Sequence, residues 1–485
     1  MPDFLPVRLQ DVMHLGKSGV PQVKTDSPAA IRPTSEGLKR NWHRFSAAGT
    51  DFLYDVPSGS LHILDGDAKR LVDLISQGLL EEELKNEDAR GDDGLAEALA
   101  EFNLMMEEGL LSDPDAKDPE VSWTHERVVK ALCLHIAHDC DMRCAYCFAG
   151  QGGFGGQRKL MDAEVGKAGL DFLVKASGDV RHLEIDFFGG EPLMNLPAIE
   201  EIVRYGRQLE ARFGKVMKFT LTTNALSLDE RAARFLNDND IATVLSMDGR
   251  PQVHDRVRRA DDGGLTSADV MRNSLKFVES RDGKDYYARG TYTALNLDFA
   301  EDVRYVAEHG FDRISFEPVV LFDGTPMQID EEHLPRIFEE YDRLVEYMLK
   351  RKREGNPILF FHFDMSVATG PCLAKRLSGC GAGADYVAVT PEGDIYPCHQ
   401  FVGRPEFKLG DVWKGIDNRS CVESFSDANI YTKQGCGDCW ARFFCSGGCH
   451  ANAFSSNGSI LQPYGIGCKI TRKRLECALR LQAGI

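Results

Sequence analysis

Between about residue 128 and residue 317, six short apolar runs alternate with helical patterns, and no other feature constrains the fold as much. The runs are Val128 to Ala137, Leu183 to Phe188, Lys218 to Thr222, Thr243 to Met247, Arg289 to Thr293 and Ile314 to Glu317. Strands separated by helices run parallel, because a chain that leaves a strand through a helix re-enters the sheet at the same end. The expected fold is α/β, with a helix-covered sheet that is either open and doubly wound or a partial barrel. In both, active groups collect at the C-terminal ends of the strands. Cys140, Gly189 and Gly190, Thr222 to Asn224, and Asp248 each follow directly on a run, so one rim should hold them all.

The loop after the first run, AHDCDMRCAYCFA, carries Cys140, Cys144 and Cys147 spaced C-x3-C-x2-C. Three thiolates on one tight loop suit three corners of a [4Fe-4S] cluster, and the fourth iron then lacks a protein ligand. An open coordination site is where substrate chemistry takes place. The competing readings are a zinc site short of one ligand and a group of core thiols. The first has an unusual spacing, and a polar loop between strand and helix fits the second poorly.

The chain has 14 cysteines in 485 residues. A protein of this length buries a sufficient core without staples, and its N-terminus has no apolar run of signal-peptide length, so a disulfide framework is not expected. A reducing, cytoplasmic setting is. No stretch approaches the roughly 18 uncharged apolar residues of a membrane span. A formal net charge of -18 argues against a nucleic-acid groove as the main business of the chain. Residues 81 to 118 alone hold 14 acidic and 3 basic residues, which reads as a solvated face, or as a surface that steers a basic peptide.

Residues 1–40 read as a tail. From Trp42, alternating residues around the turns Ala48-Gly49 and Pro57-Ser58-Gly59 predict three short strands. Asp65 should cap a helix with Ala68, Leu71, Val72 and Ile75 on one face, and a later helix repeats the pattern at Leu95, Leu99, Phe102 and Met106. These elements make a domain over 41–115. The repeated strand–helix units occupy 126–330, a helical bridge 331–371, and a loop-rich, cysteine-dense region 372–485.

The three-cysteine loop, with Tyr146 before its last thiol, resembles that of the radical S-adenosylmethionine (SAM) enzymes. Phe188-Gly189-Gly190-Glu191-Pro192 matches the family's GGEP segment, which implies that its backbone meets the methionine amino group. Physically, paired glycines let main chain approach a ligand, and Glu191 offers an acceptor for an ammonium. LTTNA and SMDG are similar to the family's ribose and carboxylate contacts, which implies roles for Thr222, Asn224, Ser246 and Asp248, with Arg258 as a further polar contact. Each alone reads more readily as a strand-end cap or an Asx turn than as a contact. The resemblance implies a partial (β/α)6 barrel.

In the C-terminal region, Cys380, Gly393-x4-Cys398, Cys436-x2-Cys439-x5-Cys445-x3-Cys449 and Cys468 resemble the SPASM extension of radical SAM peptide maturases, although Cys436 to Cys449 alone would also support a zinc ribbon. The family wiring implies two auxiliary [4Fe-4S] clusters. Cys436, Cys439, Cys445 and Cys468 would hold one; Cys380, Cys398, Cys449 and Cys372 would hold the other. Cys372-x7-Cys380 is spaced more widely than in formylglycine-forming relatives, which leaves an open iron as the alternative. Cys133, Cys421 and Cys477 read as apolar thiols.

The domain at 41–115 resembles the winged-helix-like, PqqD-like recognition element of such maturases, which implies leader-peptide binding by strand addition. The finer sequence matches resemble thioether-forming maturases, above all those acting on the small subunit of quinohemoprotein amine dehydrogenase. The implied bonds join Cys sulfur to Asp or Glu side-chain methylenes. The implied partners are a Cys-containing peptide with a leader and an electron donor such as flavodoxin or ferredoxin, with no nucleic acid and no membrane. Asp411 is the expected base, with His399 as second choice. The alternatives are a maturase of SCIFF peptides, which links Cys to α-carbons, a formylglycine-forming sulfatase maturase, and a non-catalytic iron-sulfur carrier.

Overall fold

The computed structural model describes residues 34–85, 93–118, 127–283, 285–322, 324–365 and 377–485. Strands β1 (Trp42–Ala47), β2 (Thr50–Asp55) and β3 (Ser60–Leu64) form an antiparallel meander. The β1–β2 turn has positive φ at both Ala48 and Gly49, the backbone that a two-residue hairpin with right-handed strand twist requires. Asp65 caps the helix Gly66–Gln77 by accepting from Ala68 N at 2.9 Å. That helix and Asp93–Glu107 pack Leu71, Val72, Ile75, Leu95 and Phe102 against Leu53 of the sheet.

One element falls inside the stretch read as tail. Thr34 caps a helix Ser35–Asn41 by accepting from Gly37 N, and Asn41 is anchored by donating to Pro114 O and Ala116 O. A helix of 7 residues is too short to show an apolar period. Residues 1–33 lie outside the described residues.

Parallel strands β4 (Ala131–His138), β6 (His182–Gly189), β7 (Val216–Thr223), β8 (Ala242–Ser246), β9 (Tyr286–Tyr292) and β10 (Arg313–Pro318) stand side by side in chain order, with β11 (Leu359–Phe360) beyond β10. The short β5 (Lys159–Leu160) pairs antiparallel with β4. Because each new strand adds on the same side, the sheet is a partial barrel and not doubly wound. Leu132, Leu134, Ile185, Phe187, Phe219 and Leu221 belong to the core shared with the covering helices. Alternation turns Cys133, His135, Asp186, Phe188, Thr220 and Thr222 to the other face, the barrel interior.

The sheet also continues past β4. Strand β12 (Tyr386–Val389) pairs parallel with β4, followed by antiparallel β13 (Asp394–Tyr396), β14 (Gly410–Asp411) and β15 (Gly415–Ile416). The cysteine-dense region is thus attached to the barrel by strand pairing. On its far side it meets the N-terminal unit, where Tyr54 and Val56 pack on Trp440, Leu475 and Leu479. His43 stacks on Trp440 at 3.5 Å. Arg442, 1% exposed, donates to both carboxylate oxygens of Asp118, to Arg40 O and to Asn41 Oδ1. Among the described residues no helix is long and apolar enough to cross a membrane.

Candidate active site

Cys140, Cys144 and Cys147 lie on the loop that leaves β4, and the neighbouring strand ends hold that loop from several sides. Arg143 N donates to Arg259 O at 2.7 Å and Ala145 N to Val257 O at 2.8 Å, so the segment after β8 zips along it. On the other side, Gly190 N donates to Ala137 O and Glu191 N to Asp139 O. This approach explains the paired glycines. A Cβ on Gly189, which has φ +126, would stand 2.3 Å from Ala137 O, and one on Gly190 would stand 2.0 Å from Asp139 O. The glycines bring the second rim segment against the cysteine loop itself.

Glu191 plays a different part from the open acceptor read in the sequence. Its carboxylate, fully buried, accepts from Leu193 N, Thr223 Oγ1 and Asn224 N at 2.7 to 3.0 Å. It straps the end of β6 to the end of β7. Burial and then the Asp141 carboxylate push its pKa up to about 8. Asn224 next to it donates to Asp141 Oδ1 at 2.7 Å and approaches Cys140 Sγ at 3.7 Å.

Asp248, Arg258 and Tyr146 form one buried knot behind Cys144. Asp248 accepts from Tyr146 OH at 2.5 Å and from Thr291 N at 2.9 Å, and it faces Arg258 Nε at 3.0 Å. The Arg258 guanidinium lies 5.5 Å from the centre of the Tyr146 ring. Thr222 and Ser246 sit half-buried on the inward face of β7 and β8. The structure thus gathers the rim residues named from the sequence, and it commits Glu191 to Thr223 and Asn224, and Asp248 to Arg258 and Tyr146.

Burial and then Glu191 push the Cys140 thiol up to about 12, and burial pushes Cys144 to about 11 against the pull of Arg258. Iron supplies the positive charge that lets such thiols ionise. Among the described residues no three donors converge on a point where one ion would sit. A cubane asks for something else, since each thiolate binds a separate iron corner.

In the C-terminal region the thiols fall into two groups. Cys436, Cys439, Cys445 and Cys468 line a cavity of about 380 Å³. Each of Cys436, Cys439 and Cys468 acts electrostatically on Cys445, and burial, the larger cause, brings that thiol to about 12. Cys398, buried, is pushed up by burial and then by Cys449 and Cys380. The four-thiol cavity fits a fully ligated cubane. Cys372 lies outside the described residues.

Of the two expected bases, Asp411 does not join the site. It ends β14 in an exposed turn, where its carboxylate accepts from Trp413 N at 3.0 Å and Lys414 N at 2.8 Å. Proximity in sequence to Cys398 misled here, because β13 and β14 carry the chain away from the barrel interior. His399 does lie inside, with its ring 4.9 Å from Phe188 and its Nδ1 3.2 Å from Tyr386 OH. Burial and then the Arg289 charge pull it down to about 4.

Sequence reasoning missed Asp186, on β6. It accepts from Thr220 Oγ1 at 2.7 Å, and burial raises its carboxyl to about 6 against the pull of Thr220 and Arg289. Near the end of β10, Glu317 faces Arg474 at 3.2 Å and His362 at 3.3 Å. The available signal for Asp186 was a carboxylate between the apolar residues Ile185 and Phe187 in the buried half of the strand.

Barrel, rim and cysteine loop are similar to those of radical SAM maturases, and comparison with known proteins finds such proteins among the chain's relatives. The family described as 4Fe-4S single cluster domain matches residues 129–261. The Cysteine-type anaerobic sulfatase-maturating enzyme of Clostridium perfringens is 25% identical over 67% of this chain and 89% of its own length. The Radical SAM cyclopropyl synthase TigE of Paramaledivibacter caminithermalis is 21% identical over 84% of this chain and 88% of its own. Among solved structures, anSMEcpe with bound AdoMet superposes with a TM-score of 0.62 at 20% identity, covering 73% of this chain and 94% of that one. Streptococcus suis SuiB bound to S-adenosylmethionine gives 0.51 at 17% identity, covering 86% and 96%. The 4Fe-4S match falls on the segment that carries Cys140, Cys144 and Cys147.

Proposed function

We propose that this enzyme is a peptide maturase that closes thioether crosslinks within a cysteine-containing peptide, joining Cys sulfur to Asp or Glu side-chain methylenes of a substrate like the quinohemoprotein amine dehydrogenase small subunit. The observation that carries this reading is the N-terminal unit, a three-stranded sheet docked beside the C-terminal thiols through Arg442 and Trp440. An exposed sheet edge pairs with an extended peptide, and β3 is an edge strand. That the likeness to SuiB spans 86% of the chain while that to anSMEcpe spans 73% also favours it. One relative structure is described as carrying a bound Cp18Cys peptide, which supports a peptide substrate.

Three [4Fe-4S] clusters and SAM, when bound, would supply the one-electron chemistry that removes a hydrogen atom from the peptide and an acceptor for the surplus electron. Cys140, Cys144 and Cys147 would hold the SAM-binding cluster; Cys436, Cys439, Cys445 and Cys468 would hold one auxiliary cluster, and Cys380, Cys398 and Cys449, with Cys372, the other. The strapped rim fixes the reacting partners, and a bound leader supplies the orientation that makes the step effectively unimolecular. Forming a C–S bond from S–H and C–H removes two hydrogens, one as an atom and one as a proton. Asp186 takes that proton on the barrel interior.

The test is incubation of the reconstituted enzyme with small Cys-rich peptides encoded beside its gene. Each bond removes two hydrogens and one alkylatable thiol, and fragmentation locates the linkage on a side-chain methylene. A product trapped by aldehyde reagents would instead establish the sulfatase-maturase reading, which the Clostridium perfringens relative favours. Linkage at an α-carbon would establish SCIFF-type chemistry.

A further inference from the structure

Lys433 is buried, 2% exposed, in the cysteine-dense region. Lysines are almost never fully buried without a partner of opposite charge. Among the described residues, its ammonium donates to backbone oxygens, Gly447 O at 2.9 Å and Gly448 O at 3.3 Å. Those glycines lie between Cys445 and Cys449, one thiol from each group, and a Cβ on Gly447 would stand 2.9 Å from Lys433 Cδ. The Lys433 backbone oxygen accepts from Cys436 N at 3.2 Å. The ammonium is pulled down by burial and supported by Cys436, Cys449, Cys445 and Cys380, which belong to both groups.

A buried cation among carbonyls is costly unless negative charge surrounds it. Thiolate-ligated cubanes supply that charge, and their reduction adds more. Resting on the cluster reading above, we propose that Lys433 is a fixed positive charge shared by the two auxiliary sites, which stabilises their reduced states and makes them a matched acceptor for the surplus electron. It acts through the clusters and is a positioning residue.

The experiment is an EPR-monitored redox titration of full-length protein, reconstituted anaerobically, in a Cys140→Ala, Cys144→Ala, Cys147→Ala background so that only auxiliary signals are read. In Lys433→Met the one-electron reduction equilibrium of the auxiliary clusters shifts at least tenfold towards the oxidised state, about 59 mV lower in potential. Lys433→Arg, which keeps the charge, stays close to the parent. Unchanged potentials in an iron-replete Lys433→Met protein overturn the proposal. So does a shift in Lys433→Arg as large as in Lys433→Met, since charge would not then be the cause. If the methionine variant fails to hold iron, Lys433→Gln, which keeps a donor for Gly447, takes its place with the same two outcomes. A wild-type protein holding about four irons would sink the cluster reading itself.

Discussion

Cys140, Cys144 and Cys147 hang on a loop that parallel strands and buried straps hold from either side, whereas Cys436, Cys439, Cys445 and Cys468 surround a cavity of about 380 Å³ among turns, one short helix and the first turn of the helix Gly465–Ala483. The first set is shaped by the fold: remove the thiols, and Glu191 still holds Thr223 and Asn224 while Asp248 still holds Arg258. The second set has little regular structure to fall back on, so metal and fold are linked there. The two regions should therefore fail differently, one in chemistry and the other in stability.

The largest effects test that contrast directly. Alanine at Cys140, Cys144 and Cys147 together should lower SAM cleavage by more than about a thousandfold, since the open iron is lost, with little change in thermal midpoint. Serine at Cys445 and Cys468 should lower the midpoint by on the order of 10 °C. Anaerobic thermal scans beside a 5′-deoxyadenosine assay check both. Equal melting losses in the two variants would break the comparison.

Arg442 shows how far the C-terminal region supports its neighbour. It lies in the wall of the four-thiol cavity and pairs with Asp118, both side chains nearly sealed from solvent. Removing one partner of a buried ion pair strands the other, which costs about 3–5 kcal/mol. Arg442→Ala should show that loss in urea denaturation of the holoprotein, with early protease access to the N-terminal unit. A loss confined to the N-terminal unit, with auxiliary iron retained, would sharpen the contrast by showing that the thiol cavity stands without this contact.

Asp186 belongs to the rigid region and should affect rate alone. Asp186→Asn should lower turnover about a hundredfold with an unchanged thermal midpoint. A base works in its ionised form, so the wild-type rate should fall as pH drops through about 6, the value to which burial raises this carboxyl. His399, neutral down to about 4, gives no such limb. A limb near 6 that survives in Asp186→Asn would remove Asp186 from the role.

What could be read in the sequence follows from the same contrast. The barrel strands run to between 5 and 8 residues, long enough for their apolar runs to register, and their order settled what the rhythm left open, a partial barrel over a doubly wound sheet. Strands β12 to β15 have 2 to 4 residues, too few for any period, so the continuation of the sheet into the cysteine-dense region was invisible. Rim residues were legible because each follows a strand, yet their partners were not. Glu191 looked like an open acceptor because sequence does not show that Thr223 and Asn224 close on it. Asp186 looked like an ordinary polar residue in a strand until alternation placed it inside the barrel.

The smallest expected effect belongs to Asp411, and it separates distance along the chain from distance in space. Asp411 is 13 residues after Cys398, but β13 leads away from the barrel and the carboxylate ends as the acceptor of a surface turn. Asparagine keeps an oxygen for Trp413 N and Lys414 N, so Asp411→Asn should leave turnover and its pH profile within about twofold of wild type. A larger loss of rate, with the pH limb near 6 abolished, would return the proton to the loop-rich region and make the barrel interior a container only. The paired measurement on Asp186→Asn decides between these, because one proton leaves per bond and only one of the two variants can remove its acceptor.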